Sequence, residues 1–260
     1  MTSNDQPKNK VYNWQLGKTL NLVATYVVND FTRGIYSDML EGFCQLLRKR
    51  NKANWQNIIV IQGRTGSGKS TLALQIAKQL DPNWEVSENY IYSVDDLRAK
   101  LKKARVDPLN VSPVSLFDEG TVALSNKNFM RNEDKGIITL LETMRSLRWT
   151  TIICVPNFWS LNKAIRENLT DYLITCPDKP LIQGYATRGF FQVFKPDYAR
   201  WTDGVYWTHI GSGIYPDLKG DFKDEYESIK LKHQMELTKK FIEGDEKKSP
   251  DKEKKSNGKQ

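Results

Sequence analysis

The stretch IIVIQGRTGSGKST, residues 58–71, constrains the fold more than any other part of the chain. A run of four aliphatic residues ends at Ile61. Three glycines, Gly63, Gly66 and Gly68, then fall within six positions, and Lys69, Ser70 and Thr71 follow at once. Glycine adds no side chain to a core and loses more backbone entropy on folding than any other residue, so packing alone does not account for this spacing. The aliphatic run reads as a buried strand, and the residues from Thr71 onward, with Leu72, Ile76 and Leu80 on one face, read as a helix. A glycine-rich turn between the two lets successive backbone N–H groups converge on one point, where the helix N-terminus adds its partial positive charge. Such a turn grips an anion.

The spacing is that of G-x-x-x-x-G-K-[ST], with Gly63, Gly68, Lys69 and Ser70 at the defining positions. Residues Gly63, Arg64, Thr65, Gly66, Ser67, Gly68, Lys69, Ser70 and Thr71 are expected to wrap the phosphates of a nucleoside triphosphate. Lys69 reaches the β- and γ-phosphates, Ser70 gives its hydroxyl to Mg²⁺, and Thr71 is placed to touch the α-phosphate. The chain carries no N-K-x-D guanine-reading motif, which favours ATP.

Two further apolar runs end in polar residues. VSLFDEG delivers adjacent carboxylates, Asp118 and Glu119, to the carboxyl edge of a sheet, where ligands bind in open α/β folds. Asp118 is expected to hold Mg²⁺, and Glu119 to orient and deprotonate the attacking water. TTIICVPNFW ends in Pro156 and Asn157; Asn157 reads either as a contact to the water and γ-phosphate or as a turn residue beside proline. For a cation donated between subunits the candidates are Arg145 first, then Arg148 and Arg131, with Arg64 as one acting within its own loop. Each also reads as an ordinary solvated arginine.

Around these motifs, strand candidates at 58–62, 90–93, 114–117, 150–155 and 172–175 alternate with helical stretches at 71–80, 94–105, 135–148 and 161–169. That alternation predicts a three-layer α/β sandwich with a mostly parallel five-stranded sheet. Ahead of it lie a polar, disordered start (1–10) and a strand-like segment (11–28). A helix then carries Phe31, Ile35, Met39, Phe43, Leu46 and Leu47, with Asn29 or Asp30 as its N-cap. This helix ends in Arg48, Lys49, Arg50 and Lys52, read as a DNA-facing patch or as cations favoured at a helix C-terminus. The core, 57–178, gives way at 179–243 to a different texture. LIQGYATRGFFQVFK predicts an antiparallel hairpin turning near Thr187, Arg188 and Gly189. An aromatic-rich stretch with Trp201, Tyr206, Trp207 and Tyr215 follows, then a helix over 221–242. The tail, 244–260, is charged and expected to be disordered.

Composition narrows the partners. Lys and Arg number 39 against 31 Asp and Glu, a formal charge of +8 that suits a polyanion such as DNA; the interleaved RGFFQVFKPDYARW suits stacking on bases or, equally, a packed hairpin. The three cysteines, Cys44, Cys154 and Cys176, form neither a disulfide framework nor a zinc pattern, and His209 and His233 stand too far apart for helical metal-ligand spacing. No apolar run reaches transmembrane length and the start is not a signal peptide, so a cytoplasmic location is expected.

GRTGSGKS, LFDEG, the helix carrying Arg145 and the VPN at the next strand end together resemble the P-loop ATPases that add a catalytic glutamate and an extra strand to the core. The resemblance spans about 57–176 and is nearest to the FtsK/HerA branch and its virus- or plasmid-encoded relatives, including genome-packaging and zonula occludens toxin-type ATPases. It implies a RecA-like core, ATP and Mg²⁺ as ligands, a homo-oligomeric ring with nucleotide between neighbouring subunits, and hydrolysis coupled to DNA movement, double-stranded DNA being favoured. Two departures stand out: zonula occludens toxin-type proteins usually carry a membrane span, and no apolar run of that length is seen here; large packaging motors often carry a nuclease domain, and the region after Cys176 shows no evident metal-binding acidic cluster. A small-molecule kinase and a nucleotide-gated assembly factor use the same loop and remain open alternatives.

Overall fold

The computed structural model describes residues 38–107, 111–118, 124, 132–143, 147–177, 189–198, 205–218 and 220–246. Two compact units are distinguished, Met1–Asp217 and Leu218–Gln260. The first is built on a six-stranded sheet. Strand β1 (Asn57–Gln62) is flanked in parallel by β3 (Thr150–Val155) and β4 (Tyr172–Thr175), and β2 (Val114–Phe117) lies parallel beyond β3. β5 (Phe190–Tyr198) then runs antiparallel to β4, and β6 (Val205–Ile214) antiparallel to β5, for an order of β2-β3-β1-β4-β5-β6. β1 and β3 are buried on both faces, which is why their sequences are near-continuous aliphatic runs rather than alternating ones.

Helices cover both faces. Ile59 pairs with Tyr172 across the β1–β4 ladder, and Tyr172 meets Phe43 of α1 (Asp38–Lys52) edge to face at 5.2 Å. α1 packs on α2 (Lys69–Leu80), which lies along β1, β2 and β3 on that same face. On the other face Ile58, Val60, Ile153, Val155 and Leu173 form a continuous core with Leu97 and Ala104 of α4 (Val94–Val106) and Leu141 of α5 (Asn132–Thr143). α4 starts at a capping box, Ser93 Oγ accepting from Asp96 N while Asp96 accepts from Ser93 N. The α/β sandwich expected from the alternation is present.

Several details differ from the sequence reading. Residues 90–93 contribute one parallel bridge, Tyr90 with Leu116, rather than a strand, because the short helix α3 (Val86–Asn89) ends directly before them and the cap of α4 begins at Ser93. The hairpin is β5 with β6. β5 is paired on its two edges by β4 and β6, and the first run of the expected hairpin, 181–186, with Thr187 and Arg188 of its turn, lies outside the described residues. In α1 the buried stripe is Leu40, Phe43, Cys44 and Leu47, while Leu46 is 39% exposed. Phe31, Ile35, the cap at 29–30, the segment 11–28 and Trp201 lie outside the described residues.

Polar side chains anchor the amino end of the sheet. Asn57, fully buried, donates through Nδ2 to Leu47 O and Thr150 Oγ1 and accepts from Arg50 Nε at 2.8 Å. Arg50 also pairs with Asp171 at 2.5 Å, and Asp171 accepts from Ile58 N at 2.9 Å. Arg48 donates to Gln79 O. Two of the four cations read as a DNA patch are thus committed to holding α1 on the core.

Lys100 of α4 is buried, with Nζ donating to Val114 O at 2.6 Å and lying 5.1 Å from the Trp149 ring centroid. Burial lowers its pKa from 10.5 to about 7, against the opposing fields of Asp81 and Glu88, while nearby Lys103 lowers it further. Between these values the unfolded chain binds more protons than the folded one, so stability rises with pH across that window and falls as pH drops toward 7. Lys100→Met leaves Val114 O with the Trp84 Nε1 donor at 3.1 Å. Denaturant titrations at about pH 7 and about pH 9 are expected to show the parent gaining about 2 kcal/mol more than Lys100→Met between them; equal gains would exclude the buried ammonium as the cause.

The second unit holds α6 (Asp221–Glu246), lined by Lys223–Glu227 and His233–Glu236 pairs at 3.9 and 3.8 Å. The sequence reading stops this helix at 242 and places 244–246 in the disordered tail; the helix includes them. No helix among the described residues is long and apolar enough to cross a membrane.

Candidate active site

The glycine loop begins where three parallel strands end. Gly63 N donates to Val155 O at 3.3 Å, and Cys176 N to Gln62 O at 2.8 Å. A side chain at Gly63 would come within 2.5 Å of both Cys176 O and Ser67 Oγ, so no other residue fits there. Gly66 and Gly68 have φ of 84° and 90°, the left-handed region that glycine enters without strain. Ser67 N closes the turn on Arg64 O at 3.1 Å.

Gly68 is the N-cap of α2, and neither a capping side chain nor an acidic residue in the first turn satisfies or neutralises that end. A helix start left in this state presents its first N–H groups and the positive end of its dipole to a ligand. Lys69 Nζ donates to Arg64 O at 2.8 Å, which holds the ammonium at the loop. Arg64 and Thr65 are exposed at its tip, Thr71 is half-buried in the first turn, and Ser67 Oγ is buried without a hydrogen-bond partner among the described residues.

β2 delivers Asp118 to this spot, 4% exposed. Its Oδ1 accepts from Ser70 Oγ at 2.9 Å and its Oδ2 from Tyr90 OH at 3.2 Å. Among the described residues no group of three or more His, Cys, Asp or Glu side chains gathers to hold a metal. Two hard oxygens side by side, one a carboxylate, fit Mg²⁺, which takes few protein ligands and fills its octahedron with phosphate and water oxygens. They do not suit a metal that needs nitrogen or sulfur.

β3, which Asn157 follows by two residues, lies between β1, which leads into the loop, and β2, which Asp118 directly follows. Asn157 Oδ1 accepts from Trp159 N at 2.9 Å and so caps a single 3₁₀ turn, Phe158–Ser160. Its oxygen therefore serves the turn. Gln62 Oε1 accepts from Phe158 N at 3.0 Å and ties this strand end to the loop strand. Arg148, exposed with φ of 57°, precedes β3 at the amino end of the sheet, the opposite edge from the loop. Glu119, Arg131 and Arg145 lie outside the described residues.

Three contributors escaped the sequence reading: Tyr90 on Asp118, Gln62 on the Asn157 turn, and Tyr215, whose hydroxyl donates to Gly68 O at 3.0 Å. The two tyrosines were read only as strand and aromatic-rich segment.

No family model and no curated protein matches the chain. Solved structures do. The DNA-packaging ATPase B204 from Sulfolobus Turreted Icosahedral Virus is 16% identical, with a TM-score of 0.36 over 55% of this chain and 93% of that one. The genome packaging NTPase B204 from Sulfolobus turreted icosahedral virus 2, in complex with ATP-gammaS, is 16% identical at a TM-score of 0.35 over 54% and 92%. A KaiC-like protein from Pyrococcus horikoshii OT3 is 16% identical at 0.32 over 62% and 90%. The fold of this chain is defined by its own strand order and glycine loop: a P-loop α/β core.

Proposed function

We propose that the chain is a Mg²⁺-dependent ATPase that couples ATP hydrolysis to the translocation or packaging of DNA as a homo-oligomeric ring. One observation carries the reading: an uncapped helix start after a glycine loop, with Ser70 and Asp118 in contact at 2.9 Å beside it. The loop amides and Lys69 bind the phosphates. Ser70 and Asp118 would hold Mg²⁺, which when bound supplies charge to the phosphoryl oxygens. Glu119, next in sequence to Asp118, takes the proton of the attacking water, and Asn157 orients that water against the γ-phosphate. Arg145 offsets transition-state charge in a neighbouring subunit's site. The position of β3 between β1 and β2 supports the additional-strand, catalytic-glutamate class. The DNA partner is supported by the net charge of +8 and by the resemblance of the motifs to DNA motors.

Phosphate release is expected to rise severalfold with duplex DNA. That stimulation should fade as salt increases from about 50 mM to about 200 mM, through counterion release. A rate indifferent to duplex and single-stranded DNA would remove the motor and leave a nucleotide-gated assembly factor. Transfer of phosphate to a nucleoside or sugar, without release, would point instead to a kinase.

A further inference from the structure

We infer that Tyr215, contributed by the end of the β5–β6 hairpin, is a positioning residue of the phosphate-binding loop: its hydroxyl holds the carbonyls of Ser67 and Gly68 so that the N–H groups of Gly68 and Lys69 face the phosphates. The inference rests on the proposed nucleotide site. Tyr215 is 6% exposed, and its hydroxyl donates to Gly68 O at 3.0 Å and lies 3.4 Å from Ser67 O. A trans peptide is planar with its C=O and N–H on opposite sides. The carbonyl of residue 67 shares a plane with the amide of Gly68, and the carbonyl of residue 68 with the amide of Lys69. Fixing both oxygens on one donor therefore turns both N–H groups the other way.

The loop is built around this ring. A Cβ at Gly68 would strike the Tyr215 hydroxyl, so the glycine is required by close approach as well as by its φ of 90°. Tyr215 is itself located by Tyr215 N donating to Gly189 O at 2.6 Å, at the start of β5, and Gln75 of α2 donates to Pro216 O. Burial raises the phenol's pKa, so the group stays protonated and able to donate. Gly68 O also accepts the first hydrogen bond of α2, from Leu72 N at 3.0 Å, so the helix and the tyrosine hold that carbonyl together. The hairpin thereby ties a segment outside the parallel core to the nucleotide.

Titration calorimetry on the full chain with Mg-ADP and with pyrophosphate tests this. Tyr215→Phe keeps the ring and removes the hydroxyl, and is expected to weaken both ligands alike by about tenfold, since the loss lies in the phosphates. Tyr206→Phe removes an exposed tyrosine hydroxyl from the same hairpin and is expected to bind as the parent does. Unchanged affinity in Tyr215→Phe, or equal weakening in both variants, would overturn the assignment. Amide exchange gives a readout without substitution: pyrophosphate is expected to slow exchange at Gly68 and Lys69, and unaltered exchange in the bound protein would also overturn it. A parent chain that binds neither ligand would instead remove the nucleotide site.

Discussion

Glu119→Gln is expected to bind ATP within about twofold of the parent and to turn it over about a thousandfold more slowly, within the range for loss of a general base. The substitution keeps the size and the hydrogen-bonding oxygen of the side chain and removes its capacity to take a proton. Binding should survive because the groups proposed to bind the phosphates, the loop amides and Lys69, and the pair proposed to hold Mg²⁺, Ser70 and Asp118 in contact at 2.9 Å, are elsewhere. The adjacent carboxylate is committed to another part of the proposed site, since Asp118 accepts from both Ser70 and Tyr90 and would hold Mg²⁺. Single-turnover hydrolysis beside a filter-binding measurement separates the two effects. Steady hydrolysis at the parent's rate would remove Glu119 from the mechanism.

Lys69→Ala should damage binding and turnover together. In the proposed site the ammonium gives charge-assisted hydrogen bonds to two phosphates, and its loss is expected to weaken ATP about a hundredfold and to abolish measurable hydrolysis. The fold should be unaffected. Lys69 is the first residue of α2, only half-buried, and its Nζ meets the exposed loop residue Arg64; its removal is expected to change stability by less than about 1 kcal/mol. Melting curves without nucleotide check this, and a large loss of stability would mean that the lysine acts structurally.

What the sequence made legible follows from what its chemistry allows. Phosphate gripping needs particular residues at fixed spacing, so Gly63 to Ser70 and Asp118 could be singled out from sequence; the fold brings Ser70 and Asp118 into contact at 2.9 Å. β1, β3 and β4 were legible because burial on both faces leaves short apolar runs, IIVI, IICV and YLI. β6 was not: VYWTHIGSGI alternates exposure for its first residues, and its aromatics and two glycines read as irregular chain. Tyr90 and Tyr215 reach the site from 28 and 147 residues away from Asp118 and Gly68, distances no local pattern spans. Arg50 looked like a free cation at a helix end until the fold brought Asp171, 121 residues on, to meet it.

The central claim is that the glycine loop captures a magnesium-bound triphosphate, and calorimetric titration of a slowly hydrolysed ATP analogue into the protein, with and without Mg²⁺, tests it most directly. The account predicts saturable one-site binding with Kd on the order of micromolar, about −8 kcal/mol, weakened when Mg²⁺ is withheld and largely lost in Lys69→Ala. Binding absent under all conditions, or equally tight in Lys69→Ala, would contradict it.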